Sequence, residues 1–136
     1  MGAWGHGNFD NDTVLDWVAD LTQEPGLTLL TEAIEAVLED VELDADTASI
    51  GLGAIEVLAA LQDRPWKDQY EDEELTDWIK EHNQQGAHLL EKAQASLRKI
   101  REESELKELW EESDHYEDWV DTIKELEDRL KGSSGE

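Results

Sequence analysis

Glu56 is the acidic residue with the most unusual surroundings in this sequence. It lies inside the apolar run 54–61, where a carboxylate must be ion-paired, protonated or at the edge of the buried region. The first Lys or Arg of the chain is Arg64, so a cationic partner has to come from residues 64–131 or from the α-amino group. Glu56 is either a catalytic acid in an apolar pocket or a structural anchor. We favour the anchor, because the sequence shows no second catalytic group beside it.

The four histidines, His6, His82, His88 and His115, give no zinc-binding pattern, since none has a histidine partner four residues away. His82 and His88 flank a predicted turn and are expected at the surface. His115 lies in the acidic stretch 111–118, whose carboxylates suit a hard cation such as Mg²⁺ or Ca²⁺. The same acids are typical of a helix start, where they complement the helix dipole, and we favour that interpretation. The sequence assigns no metal ligand, no cofactor and no catalytic residue.

The opening segment MGAWGHGNFDND is rich in glycine and has no helical periodicity. We expect residues 1–11 to form an ordered lead-in, because its two aromatic side chains would leave a large apolar area in water on a free tail. A calcium-binding loop beginning at Asp10 is excluded, since Leu15 and Leu21 replace the Gly and Glu that such a loop requires. The candidate functional residues of this segment are Trp4, His6, Phe9, Asp10 and Asp12.

The charge balance is strongly acidic and uneven. Asp and Glu number 36 against 11 Lys and Arg, which gives a net charge of −25. Residues 1–63 hold 14 of the acids and no Lys or Arg. Such a charge disfavours direct binding to nucleic acid or anionic lipid and favours attraction to a basic protein. A solvated, salt-adapted surface is the alternative. The candidate interface residues are Asp16, Asp20, Glu32, Glu35, Glu39 and, in a polar loop, Trp66.

Apolar residues recur at helical spacing through most of the chain and predict an all-α domain of five to seven helices. The predicted helices cover about 13–22, 27–40, 47–62, 73–83 and 87–102, followed by a short helix capped by Ser104 and a last helix that Asp114 caps and that ends at about Lys131. Trp17 in the first helix and Leu38 in the second are expected to point inward. The third helix is apolar on every side and is expected to be central. Residues 1–131 are expected to form one domain, with 132–136 as a loose tail.

The sequence also limits the cellular context. It contains no cysteine, which fits a reducing compartment. No stretch approaches the ~20 apolar residues of a membrane span, and no signal peptide is recognisable. His6 stands where an N-myristoylation motif requires Ser or Thr. We therefore expect a cytoplasmic protein without membrane association.

Four parts of the chain resemble a known bacterial family, domain of unknown function 4259. They are the opening segment, the dipeptide Asp16-Trp17, the apolar run 54–61 and the segment SELKELWEES at 104–113. The opening segment is the most specific of these, and the connection 62–74 carries no matching motif. The resemblance implies a small helical protein of bacterial type. It carries over no activity and no catalytic residues.

These observations support one leading hypothesis and two alternatives. The leading hypothesis is a non-enzymatic binding or inhibitory protein, of the immunity type, that acts on a basic protein partner. The first alternative is a carboxylate-based enzyme, with or without a divalent metal, in which His6, Asp10, Asp12 or Glu56 would act. The second alternative is a mimic of nucleic-acid charge.

Overall fold

The computed structural model describes residues 12–23, 26–41, 43–62, 73–82 and 85–131. Within these ranges the chain consists of helices and short connections, which confirms the predicted all-α fold. The seven α-helices are α1 (Asp12–Leu21), α2 (Thr28–Glu39), α3 (Ala45–Leu61), α4 (Glu73–Glu81), α5 (Leu90–Glu103), α6 (Glu105–Glu111) and α7 (Tyr116–Lys131). None of these helices is both long enough and apolar enough to cross a membrane.

Several sequence-based predictions concern residues outside the described ranges. These residues are Trp4, His6, Phe9, Asp10 and Trp66, together with the lead-in 1–11 and the tail 132–136. The side chain of Asp12 is also outside the description, although its backbone begins α1.

Helix α3 is the centre of the domain, and it packs against α1, α2, α4, α5, α6 and α7. All residues from 51 to 61 are buried, as expected for a helix with no polar face. Its first turn is capped by Asp44, whose carboxylate accepts a hydrogen bond from the Thr47 N–H at 2.7 Å.

Gly51 allows α2 to lie close against α3. A Cβ at this position would be 2.5 Å from Cγ2 of Val37, so any larger residue would displace that side chain. Across the neighbouring α2–α5 interface, the Ser96 hydroxyl donates a hydrogen bond to the Ile34 carbonyl at 3.1 Å. Gly51 thus accommodates a side chain of α2.

Ser104 links three parts of the fold. Its hydroxyl donates to the Ile100 carbonyl of α5 at 2.6 Å and accepts from the Lys107 N–H of α6 at 3.0 Å, which confirms its predicted capping role. An isolated parallel bridge pairs Ser104 with Leu43, next to the start of α3. The Glu105 N–H donates to the Leu43 carbonyl at 2.9 Å. The start of α6 is thereby tied to the start of α3.

Three details differ from the sequence-based expectations. Helix α5 begins at Leu90, because Gly86, with φ of +86°, turns the chain into a 3₁₀ turn at Ala87–Leu89. Leu38, expected to point inward, is 37% exposed in the last turn of α2. Trp17 is half-buried at the rim of the core, although the sequence predicted a core position.

Candidate functional site

Glu56 forms a buried ion pair with Arg129. The Arg129 Nη2 atom lies 2.6 Å from Oε1 of Glu56, and the two side chains are 13% and 4% exposed, respectively. Glu56 is positioned by α3, and Arg129 reaches it from the last turn of α7. The partner therefore comes from residues 64–131, one of the two sources that the sequence left open.

A second carboxylate completes this group. Glu125 lies one helical turn before Arg129 on α7, and its Oε2 accepts a hydrogen bond from the Arg129 Nε–H. Burial tends to lower the pKa of Arg129, but its attraction to Glu56 and its hydrogen bond with Glu125 outweigh that effect and raise it. The guanidinium therefore stays charged over the whole accessible pH range.

The chemistry of this arrangement is that of an anchor. A guanidinium held between two carboxylates balances one of their two charges and links α7 to α3. The residues on either side of Glu56 in α3 are apolar and buried, so its carboxylate lies in the interior of the fold. Of the three states that the sequence left open for Glu56, the structure shows the ion-paired one, and its role as an anchor stays a prediction.

His82 is buried, contrary to its expected place at the surface. Its side chain stacks on Trp78, with ring centroids 4.1 Å apart, and the residue is only 7% exposed. Its Nδ1 atom lies 2.8 Å from the Trp78 carbonyl oxygen, which can only accept, so Nδ1 carries the proton in this hydrogen bond. The Trp–His spacing of four residues is the signal in the sequence that indicates this stacked pair.

His88 and His115 are exposed. His115 precedes α7 and its Nδ1 lies 3.4 Å from Oδ2 of Asp118, in the first turn of that helix. Glu117 and Asp118 are placed as the helix-start interpretation predicted. Within the described ranges, no group of three or more His, Asp or Glu side chains is arranged to hold a metal ion.

The candidate interface acids lie on two helices that pack against α3. On α1, Asp16 and Asp20 are exposed, and on α2 Glu32 and Glu39 are exposed. Glu35 is half-buried and forms an ion pair of 2.8 Å with Lys92 on α5. Folding therefore brings Lys92 to an acid-rich part of the sequence that contains no Lys or Arg.

A groove of about 490 Å³ lies between α5 and α7, and it is lined by Glu91, Gln94, Ala95, Arg98, Arg101 and Glu127. Nε of Arg101 is 3.5 Å from Oε2 of Glu127, and Arg98 and Arg101 both lie within 4.0 Å of Glu102. Each arginine of the groove thus already faces a carboxylate. The groove offers no uncompensated positive charge to an anionic ligand.

No curated protein and no solved structure matches the chain significantly. A family model does match, over residues 2–122. The match covers α1 to α6 and the first part of α7, and it ends before Arg129, the partner of Glu56. Since it spans most of the chain, the protein belongs to the family described as domain of unknown function (DUF4259).

Proposed function

We propose that this protein is a non-enzymatic binding protein, of the inhibitory or immunity type, that uses the acidic surface of α1 and α2 to bind a basic protein. The observation that supports the proposal is the exposure of Asp16, Asp20, Glu32 and Glu39. Among the ion pairs that join described residues, none includes these four acids. Their charge is available to a partner.

Long-range attraction gives these acids a function beyond solubility. Charge of one sign on a surface steers an oppositely charged partner and raises the rate of encounter. The net charge of −25 adds to the local field. Screening by salt weakens such steering, with a Debye length of about 10 Å at 0.1 M. Binding should therefore depend strongly on salt concentration.

The interior supports the same proposal. Glu56 is the buried acid that a catalytic hypothesis would use, and it is occupied by Arg129 at 2.6 Å. Removing one partner of such a buried pair is strongly destabilising, so the pairing suits a structural contact. The outer surface then remains the part of the described chain that is suited to recognition.

The test is affinity capture from the native lysate with the wild-type protein and two variants. One variant carries Asp16→Asn, Asp20→Asn, Glu32→Gln and Glu39→Gln. The control neutralises four exposed acids of α7: Glu117, Asp118, Asp121 and Asp128. Both variants change the net charge by the same amount, so only the location of the charge differs.

The proposal expects one basic protein that the wild type and the α7 control capture at low salt and that the α1–α2 variant loses. Its capture should weaken as NaCl is raised, because the charges are screened. A salt-adapted surface without a partner predicts a different result, namely no specific capture and a protein that gains stability with added salt. Equal loss in both variants would also contradict the proposal, since it would indicate a non-specific charge effect.

A further inference from the structure

The connection between α2 and α3 exposes two apolar side chains among acids. Val41 is 97% exposed and Leu38 is 37% exposed, and they are the exposed large hydrophobic residues within the part of the chain that the structure describes. We call residues 38–41 and 43–46 the α2–α3 corner. It also contains Glu39, Asp44 and Asp46, all three exposed.

The backbone of the corner is held in place on both sides of Val41. On the α2 side, the Lys99 ammonium of α5 donates hydrogen bonds to the carbonyls of Leu38 and Asp40. On the α3 side, Leu43 is buried and its carbonyl accepts a hydrogen bond from the Glu105 N–H at 2.9 Å. Val41 is thus displayed on a supported turn, so little conformational entropy is lost when a partner covers it.

The beginning of α3 strengthens this support. The Asp44 carboxylate caps the helix, and the Ala45 N–H donates to Oε1 of Glu105 at 2.9 Å. These contacts join the corner to α6 as well as to α5. A fully exposed β-branched side chain on a fixed backbone resembles the apolar anchor of a protein interface, surrounded by a polar rim.

We infer that the α2–α3 corner is the contact point for a basic amphipathic segment of the partner, with an apolar side chain against Val41 and Lys or Arg residues against the surrounding acids. The inference rests on the proposed function and locates its surface. Charge complementarity identifies the occupant, because an uncharged apolar segment gains nothing from Glu39, Asp44 and Asp46. Lys99 of α5, which lies against the corner, is engaged by the backbone carbonyls of Leu38 and Asp40.

The test uses two synthetic peptides and the full chain labelled with ¹⁵N. The first peptide has Lys and Leu at amphipathic helical spacing, and the second has Ser in place of each Leu, with the same number of lysines. Each is titrated into the wild type, Val41→Ser and the control Ala95→Ser, which alters an exposed residue of α5. Amide shifts locate binding and give the dissociation constants at about 0.1 M NaCl, where the Debye length is about 10 Å.

We expect the Lys/Leu peptide to bind the wild type about tenfold more tightly than the Lys/Ser peptide, since it buries an apolar side chain. Shifts should centre on the α2–α3 corner. Val41→Ser should remove the difference between the peptides, and Ala95→Ser should preserve it. An unchanged melting temperature is expected for Val41→Ser, because the side chain it replaces is in water.

Other results separate the inference from the function on which it rests. If both peptides bind the acids of α1 and α2 equally and Val41→Ser has no effect, the contact point is wrong and the proposed function stands. If neither peptide binds even at about 0.01 M NaCl, where the Debye length is about 30 Å, both are wrong. A wild-type dimer that Val41→Ser converts to a monomer would show that a second copy covers the corner. Shifts in residues 1–11 caused by Val41→Ser alone would show that the chain covers it itself, and either result overturns the inference.

Discussion

Two of the ion pairs that join helices in the described part of the chain have similar distances but different surroundings. Glu56 and Arg129 link α3 to α7 at 2.6 Å, with side chains 4% and 13% exposed. Glu35 and Lys92 link α2 to α5 at 2.8 Å, with side chains 40% and 49% exposed. From the distances alone, the two ion pairs would be expected to contribute equally to the stability of the fold. The exposures indicate that loss of a partner has very different consequences at the two sites.

The reason lies in what remains after one partner is removed. A buried carboxylate without its cation is left in a medium that solvates it poorly, and this costs several kcal/mol. An exposed carboxylate is simply hydrated, and exposed pairs contribute about 0.2–1 kcal/mol. The two ion pairs show that burial, and not distance, distinguishes an anchor from a surface contact in this fold.

The largest effect should come from Arg129→Ala. We expect a loss of about 3 to 5 kcal/mol in the free energy of unfolding, because Glu56 would remain buried without its cation. The partial exposure of the guanidinium favours the lower end of that range. Urea denaturation followed by circular dichroism measures the loss.

The matched control for this variant is Arg98→Ala. The Arg98 side chain is 76% exposed and lies 3.9 Å from Glu102 on the same helix, so its removal should cost under about 1 kcal/mol. The double variant Glu56→Leu with Arg129→Met should be more stable than Arg129→Ala, since it leaves no unpaired buried charge. If Arg129→Ala and Arg98→Ala unfold at the same urea concentration, burial does not decide how much an ion pair contributes to the stability of this fold.

Leu58→Ala tests how tightly the core around α3 is packed. Leu58 is fully buried on α3, two positions after Glu56. Truncation should lower the free energy of unfolding by about 2–5 kcal/mol through lost burial and the cavity left behind. A loss below about 1 kcal/mol in chemical denaturation would place Leu58 outside the core.

Gly51→Ala probes the interface of α3 with α2, the helix that carries Glu35. The new Cβ would lie 2.5 Å from Cγ2 of Val37, and such overpacking costs about 1–3 kcal/mol. The higher helix propensity of Ala offsets up to about 1 kcal/mol of this. Adding Val37→Ala should remove the clash, so a double-mutant cycle should show favourable coupling. If the effects of Gly51→Ala and Val37→Ala on thermal denaturation are purely additive, α2 moves away from the new methyl group without strain.

The sequence predicts the interior well because its signals are local. The all-round apolarity of residues 48–61 predicts a central helix, and α3 is buried as that pattern requires. The absence of Lys and Arg before Arg64 leaves residues 64–131 and the α-amino group as the sources of a partner for Glu56. It does not identify Arg129, because nothing in the local pattern shows which base of α5, α6 or α7 faces α3.

The surface is less predictable, because it depends on where helices end and which helices meet. Leu38 continues the apolar stripe of α2, but α2 ends at Glu39 and the side chain is left partly in water. The contact of Glu35 with Lys92 follows from the packing of α2 on α5, which no spacing in the sequence indicates. The sequence shows where the acids are concentrated, but it does not show which bases pack against them in the fold.

The smallest effect should come from Lys92→Ala, and it is the most direct test of the comparison. The variant removes an ion pair of 2.8 Å, but its two exposed side chains should contribute only about 0.2–1 kcal/mol. It also makes the net charge more negative, so Lys124→Ala, an exposed lysine of α7, serves as the control for that change. The difference between these variants in urea denaturation isolates the pair and should shrink as NaCl rises from about 0.01 to 1 M, because the Debye length falls from about 30 to 3 Å. If Lys92→Ala destabilises the protein by more than about 2 kcal/mol beyond Lys124→Ala, exposure does not decide the strength of these pairs.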